Sequence, residues 1–178
     1  APGPTAGPNA GLTGTAEPRP AKPGPPSPVT VTVTETAQPT PVQPVDEPLV
    51  SVGGVSFQVE VALTDEKKAQ GLSDRIPLAP RAGMLFVYSE ERKRTFWMKD
   101  MRFPLDFVWI GEECEVVDTT MNVPHPPAPD SPLQTYESAS PAAYTFEVNA
   151  GELGALGIQK GDPVRFAGFP EDVVGAKC

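Results

Sequence analysis

Val55-Ser56-Phe57-Gln58-Val59-Glu60-Val61-Ala62-Leu63 is the stretch whose pattern decides the fold. Val55, Phe57, Val59, Val61 and Leu63 alternate with smaller or polar residues, which puts the apolar side chains on one face of an extended chain. That is a half-buried β-strand. The pattern then breaks at Thr64, whose hydroxyl suits the N-cap of a short helix. Asp65 and Glu66 complement the dipole of its first turn, and Gly71 is a C-terminal stop.

Downstream, strands are expected at Met84–Tyr88, Arg94–Met98, Leu105–Ile110, Cys114–Thr119 and Tyr144–Val148, with Gly111 turning the chain between two of them. Glu152–Leu156 reads as one helical turn, and Lys160-Gly161-Asp162 as a tight turn into a last strand at Val164–Phe166. Residues 122–143 are proline-rich and read as a long surface loop. Many short strands divided by turn residues give an α+β, mostly β class: a small barrel-like or rolled antiparallel sheet with short helices. Leu105, Phe107 and Trp109 share one face of their strand, which assigns Trp109 to the core. Trp97, if exposed, is suited to stacking on a sugar ring or touching a partner protein.

Upstream, residues 1–48 have a different composition. The chain has 24 prolines, and this segment contains no aromatic residue, the first being Phe57. A stretch of Pro, Gly, Ala and Thr cannot bury enough apolar surface to offset its ordering entropy, so it is expected to be a disordered, semi-stiff stalk. Pro23-Gly24-Pro25-Pro26-Ser27-Pro28 and Pro39-Thr40-Pro41 favour polyproline-II segments, and Val29–Thr34 alternates like an extended strand. The folded domain is therefore expected over residues 49–178.

The net charge of −9 argues against nucleic acid and anionic lipid, both of which require a concentrated positive surface. No apolar run reaches the length of a membrane span. The sequence opens on Ala1-Pro2, which together with the stalk suggests an exported, periplasmic or cell-surface protein whose signal peptide preceded Ala1. In an oxidising envelope Cys114 and Cys178 are expected to pair, closing the C-terminal tail onto the domain.

Thr64-Asp65-Glu66, Gly71-Leu72, Arg75, Gly83-Met84-Leu85-Phe86-Val87, Phe96-Trp97-Met98-Lys99-Asp100-Met101 and Phe103-Pro104-Leu105-Asp106 together resemble domain-of-unknown-function family 192, DUF192. Gly151 and Gly161-Asp162 fall where that family has its later glycine motifs. The resemblance spans about residues 52–167. It implies a compact, mostly β domain, often exported, and brings no activity with it. This chain departs from the pattern at Ser73, where the family has Met, and at Asp100-Met101, where it has Asn-Thr. The loop after Val116-Val117 often carries cysteines in the family; here it holds Met121 and the only histidine, His125.

Two constellations carry chemistry. Met98, Met101, Met121 and His125 lie close in sequence; thioether sulfur is a soft donor for Cu(I), and imidazole accepts either copper oxidation state. The ordinary reading of the methionines is core filling, and of His125 a solvated loop residue. Lys99, Asp100, Asp106 and Arg75, with Glu66, form a charged set that reads either as a polar pocket or as an ion-pair network orienting strands. No catalytic triad, phosphate loop or dinucleotide fingerprint is present.

Two functions follow as expectations. One is copper handling or copper-dependent oxidative defence, including superoxide dismutation. The other is a metal-free interaction module docked to a larger surface-layer or cell-envelope assembly.

Overall fold

The structure is a computed structural model describing residues 47–128, 130–170 and 172–174. The expected stalk up to residue 46, including the Val29–Thr34 alternation, lies outside the described residues, as does Cys178. Among the described residues nine strands and two short helices follow in the order β1 (Leu49–Val52), β2 (Val55–Ala62), α1 (Asp65–Gln70), β3 (Ala82–Arg92), β4 (Thr95–Trp97), β5 (Leu105–Ile110), β6 (Val116–Val123), β7 (Thr135–Glu137), β8 (Ala142–Asn149), α2 (Glu152–Leu156) and β9 (Val164–Ala167).

Seven of the strands form one sheet, ordered β6-β5-β8-β3-β2-β1-β9. It curls into a half-barrel. An isolated bridge between Glu115 and Pro163 links its two ends, reinforced by Val164 N donating to Cys114 O at 2.7 Å and Gly161 N donating to Val116 O at 2.7 Å. One correction to the expected antiparallel sheet concerns β2 and β3, which pair in parallel from Gln58↔Ala82 to Ala62↔Phe86. A parallel pair needs a crossover, and α1 with the loop that follows it supplies one. Thr64 caps α1 as expected, its hydroxyl accepting from Lys67 N at 3.3 Å. Gly71 ends it with φ 49°.

Burial follows the alternation in β2, where Phe57 and Val59 are buried while Ser56, Gln58 and Glu60 are exposed. The middle strands differ. Every residue of β5 is buried, and so is nearly all of β8, because both faces of the sheet are covered there. The concave core holds Phe57, Leu85, Val108, Ile110, Phe146, Val148 and Leu153. A second core on the opposite face holds Leu72, Met84, Phe86, Met98, Phe107 and Trp109.

The β4–β7 ribbon covers that second core. Phe96 points inward against Phe86, Phe107 and Trp109, with centroids 5.0, 5.7 and 5.4 Å away, and Tyr136 lies 6.1 Å from Phe107. Trp109 is fully buried as expected, its indole N–H donating to the Thr120 hydroxyl at 2.9 Å. β3 and β8 approach closely at Gly83, where a Cβ would stand 2.2 Å from Phe146 Cε2. Only glycine fits at that position.

Candidate functional site

The turn from β4 to β5 builds the floor of a cleft. Met98 drops into the second core, and Met101 N donates to Met98 O at 3.2 Å to close the turn. This forces Asp100 to φ 56°, a left-handed conformation that aspartate tolerates better than most residues. The loop after α1 buttresses the turn: Asp74 N donates to Asp100 O at 2.8 Å, and the Ser73 hydroxyl to Lys99 O at 2.9 Å. Arg102 Nη2 reaches Asp74 Oδ1 at 3.0 Å. From the other side the proline-rich chain leaving β6 brings His125, Pro126 and Pro127 over the turn. Together these segments line a cleft of about 500 Å³.

Of the four expected soft ligands, two meet there. Met101 and His125 both line the cleft, alongside Asp74, Lys99, Asp100 and Arg102. Met98 and Met101 are 3% and 8% exposed and both pack in the second core, but only Met101 also lines the cleft. Met121 is 47% exposed on β6 and is not among the lining residues. Among the described residues no three His, Cys, Asp or Glu side chains gather closely enough to hold a metal ion.

The charged set does not act as one unit. Lys99 and Asp100 line the cleft, whereas Arg75 pairs with Glu60 at 2.6 Å, both side chains partly exposed. Glu66 sits exposed in the first turn of α1, where backbone and Thr64 hydrogen bonds hold its carboxyl below the usual range. Asp106 is fully buried and has no cationic partner among the described residues. Its Oδ1 accepts from Asn122 N at 2.6 Å, and its Oδ2 from Gly151 N at 2.9 Å and Leu153 N at 3.1 Å. One carboxylate thus ties β5 to the end of β6 and to the start of α2. It anchors the root of the His125 loop from below, since Asn122 precedes that loop at φ 55°.

Glu147 and Tyr88 were not among the expected site residues. Glu147 stands in the centre of β8, opposite Met84 of β3 and Phe107 of β5. Burial alone pushes its carboxyl up to about 8. Burial also pushes the Tyr88 hydroxyl up to about 12, against the lowering influence of Arg94, whose guanidinium lies 3.8 Å from the Tyr88 ring centroid. Arg94 is itself buried, its guanidinium donating to the Ala142 and Glu90 carbonyls. The available signal was a single acid inside the apolar run Tyr144–Val148.

Tyr88 also lines a second, smaller cleft of about 420 Å³ beside the β4–β7 ribbon, with Lys68, Phe96, Trp97, Thr95 and Thr135. Cys114 is 7% exposed at the bridge to β9; its expected pairing with Cys178 falls outside the described residues. No helix among the described residues is long and apolar enough to cross a membrane.

Solved structures of the same architecture include the following two. A Sinorhizobium meliloti 1021 protein described as a "putative transcription regulator" is 32% identical over 68% of this chain and 93% of its own, with a TM-score of 0.58. A protein of unknown function from Novosphingobium aromaticivorans DSM 12444 is 30% identical over 66% of this chain and 83% of its own, with a TM-score of 0.59. No curated protein matches significantly. Residues 49–166 match DUF192, described as "Uncharacterized ACR", over the whole sheet through β9 except its last residue. This chain belongs to the DUF192 family.

Proposed function

We propose that the domain is an exported copper-handling module that holds Cu(I) between the Met101 sulfur and the His125 imidazole. The observation that carries this reading is that these two side chains, one from the turn after β4 and one from the chain leaving β6, line one cleft. A thioether with one imidazole is a soft donor set, and such sets favour Cu(I) over Cu(II) and zinc. Asp74 and Asp100 contribute negative charge at the same cleft, while Lys99 and Arg102 offset it. Holding and handing over Cu(I) suits this donor set better than superoxide dismutation, which requires nitrogen or oxygen ligands for the Cu(II) half of the cycle. Export rests on the composition of the first 48 residues. A role in transcription, the description given to the S. meliloti relative, sits poorly with a net charge of −9.

The test is retention of Cu(I) against a competing chelator by the full chain, compared with His125→Ala and with Met101→Leu, which removes the sulfur but keeps the volume of a buried side chain. The reading predicts that wild type keeps a stoichiometric copper and that each variant loses it with its circular dichroism unchanged. Equal loss from all three would contradict it. That result would favour the metal-free docking module, for which Leu133, 47% exposed on the rim of the cleft, offers an apolar contact.

A further inference from the structure

The β4–β7 ribbon has two faces with different chemistry. Phe96 and Tyr136 turn inward onto the second core, while Thr95, Trp97 and Thr135 turn outward and are exposed. Trp97 and Thr135 are direct cross-strand partners. The indole of Trp97 is 53% exposed although the chain's other tryptophan is fully buried. Burying Trp97 in a complex would release a large apolar area, and its exposure is not required by the packing of the ribbon, which Phe96 secures.

The cleft beside this indole is not purely apolar. Thr95 and Thr135 are among its lining residues, and the Lys68 ammonium stands 4.8 Å from the Tyr88 ring centroid. Lys68 has no ion pair among the described residues. An acyl chain or an apolar peptide would leave these donors without partners on binding, at a cost for each. A pyranose ring matches them. Its C–H face stacks on a flat indole, and its rim of hydroxyls needs short-range donors and acceptors such as threonine and lysine supply. The volume of about 420 Å³ falls within the ordinary range for small-ligand clefts.

We propose that this cleft is a saccharide-binding subsite. Trp97 is its stacking platform, and Thr95, Thr135 and Lys68 bond the hydroxyls of one sugar unit. It is separate from the Met101–His125 cleft, with which it shares no lining residue. Neutral and uronic-acid sugars share the ring chemistry, and Lys68 would favour the acid while the net charge of −9 opposes it at low salt.

The test is titration of the full chain with a neutral tetrasaccharide, chitotetraose, and an acidic one, tetragalacturonate, followed by tryptophan fluorescence and by calorimetry. Trp109 is fully buried, so a change in the solvent-exposed component of the emission reports on Trp97. The proposal predicts saturable binding of at least one of the two. Trp97→Ala should weaken it about tenfold or more, Trp97→Phe should restore part of it, and Lys68→Ala should weaken the acidic sugar more than the neutral one. Binding of neither sugar, or binding unchanged in Trp97→Ala, would overturn it. So would displacement of the sugar signal by an apolar peptide that binds more tightly. None of these outcomes depends on copper, so the two proposals stand or fall separately.

Discussion

The end of the sheet around Asp106 and its centre around Glu147 both bury an acidic side chain, and they do so in opposite ways. Asp106 receives three backbone N–H groups from two other segments, at 2.6, 2.9 and 3.1 Å. Glu147 sits between Met84 and Phe107 as its cross-strand neighbours, and desolvation pushes its carboxyl up to about 8 with nothing opposing it. Burial alone therefore does not tell what an acid is for. Donors aimed at an acid make it a structural tie, whereas an acid without them holds a proton.

The largest effect that would break this comparison is at Asp106. Asp106→Ala leaves three N–H groups without their acceptor, the buried one of Leu153 among them, and a loss of about 2–4 kcal/mol in urea unfolding is expected. Asp106→Asn keeps an acceptor oxygen and should cost about half as much. A loss under about 1 kcal/mol for the alanine variant would mean that water or backbone rearrangement replaces the carboxylate.

Glu147 makes the smaller, pH-dependent prediction. Its folded value of about 8 lies above the ordinary 4.5, so the folded chain binds the extra proton between those two values. Stability must then fall as pH rises from about 4.5 to about 8, be fully present below that window and level off above it. Glu147→Gln removes this slope, leaving a flatter unfolding profile across the same window. An unchanged slope in the variant would show that another group titrates there.

The contrast also explains what could be seen in the sequence. The alternation of Val55–Val61, the Thr64 cap and the helical turn at Glu152–Leu156 are local patterns, and each stands where its side chains predict; the alternation fails at its end, where Ala62 is buried and Leu63 is 44% exposed. The parallel pairing of β2 with β3 was hidden because periodicity carries no information on strand direction. β1 and β7 are four and three residues long, too short to alternate visibly, and β7 lies inside a proline-rich segment. Lys99, Asp100 and Asp106 are neighbours in sequence, yet the turn sends the first two to the cleft and the strand carries the third inside. Met98 and Met101 both stay in the second core, and only Met101 also lines the cleft. That shared burial is why a methionine pattern alone could not tell the two apart.

The central claim is that Met101 and His125 act together, and the methyl groups of the four methionines report on it directly. Silver(I), a stable and diamagnetic stand-in for Cu(I), would be titrated into full-length protein carrying ¹³C-methyl methionine, while the His125 ring is followed in the same NMR sample. The account predicts that the Met101 methyl and the His125 imidazole shift together and saturate at one equivalent, with Met98 unmoved in the core. A shift centred on Met121, or His125 moving without Met101, would contradict it.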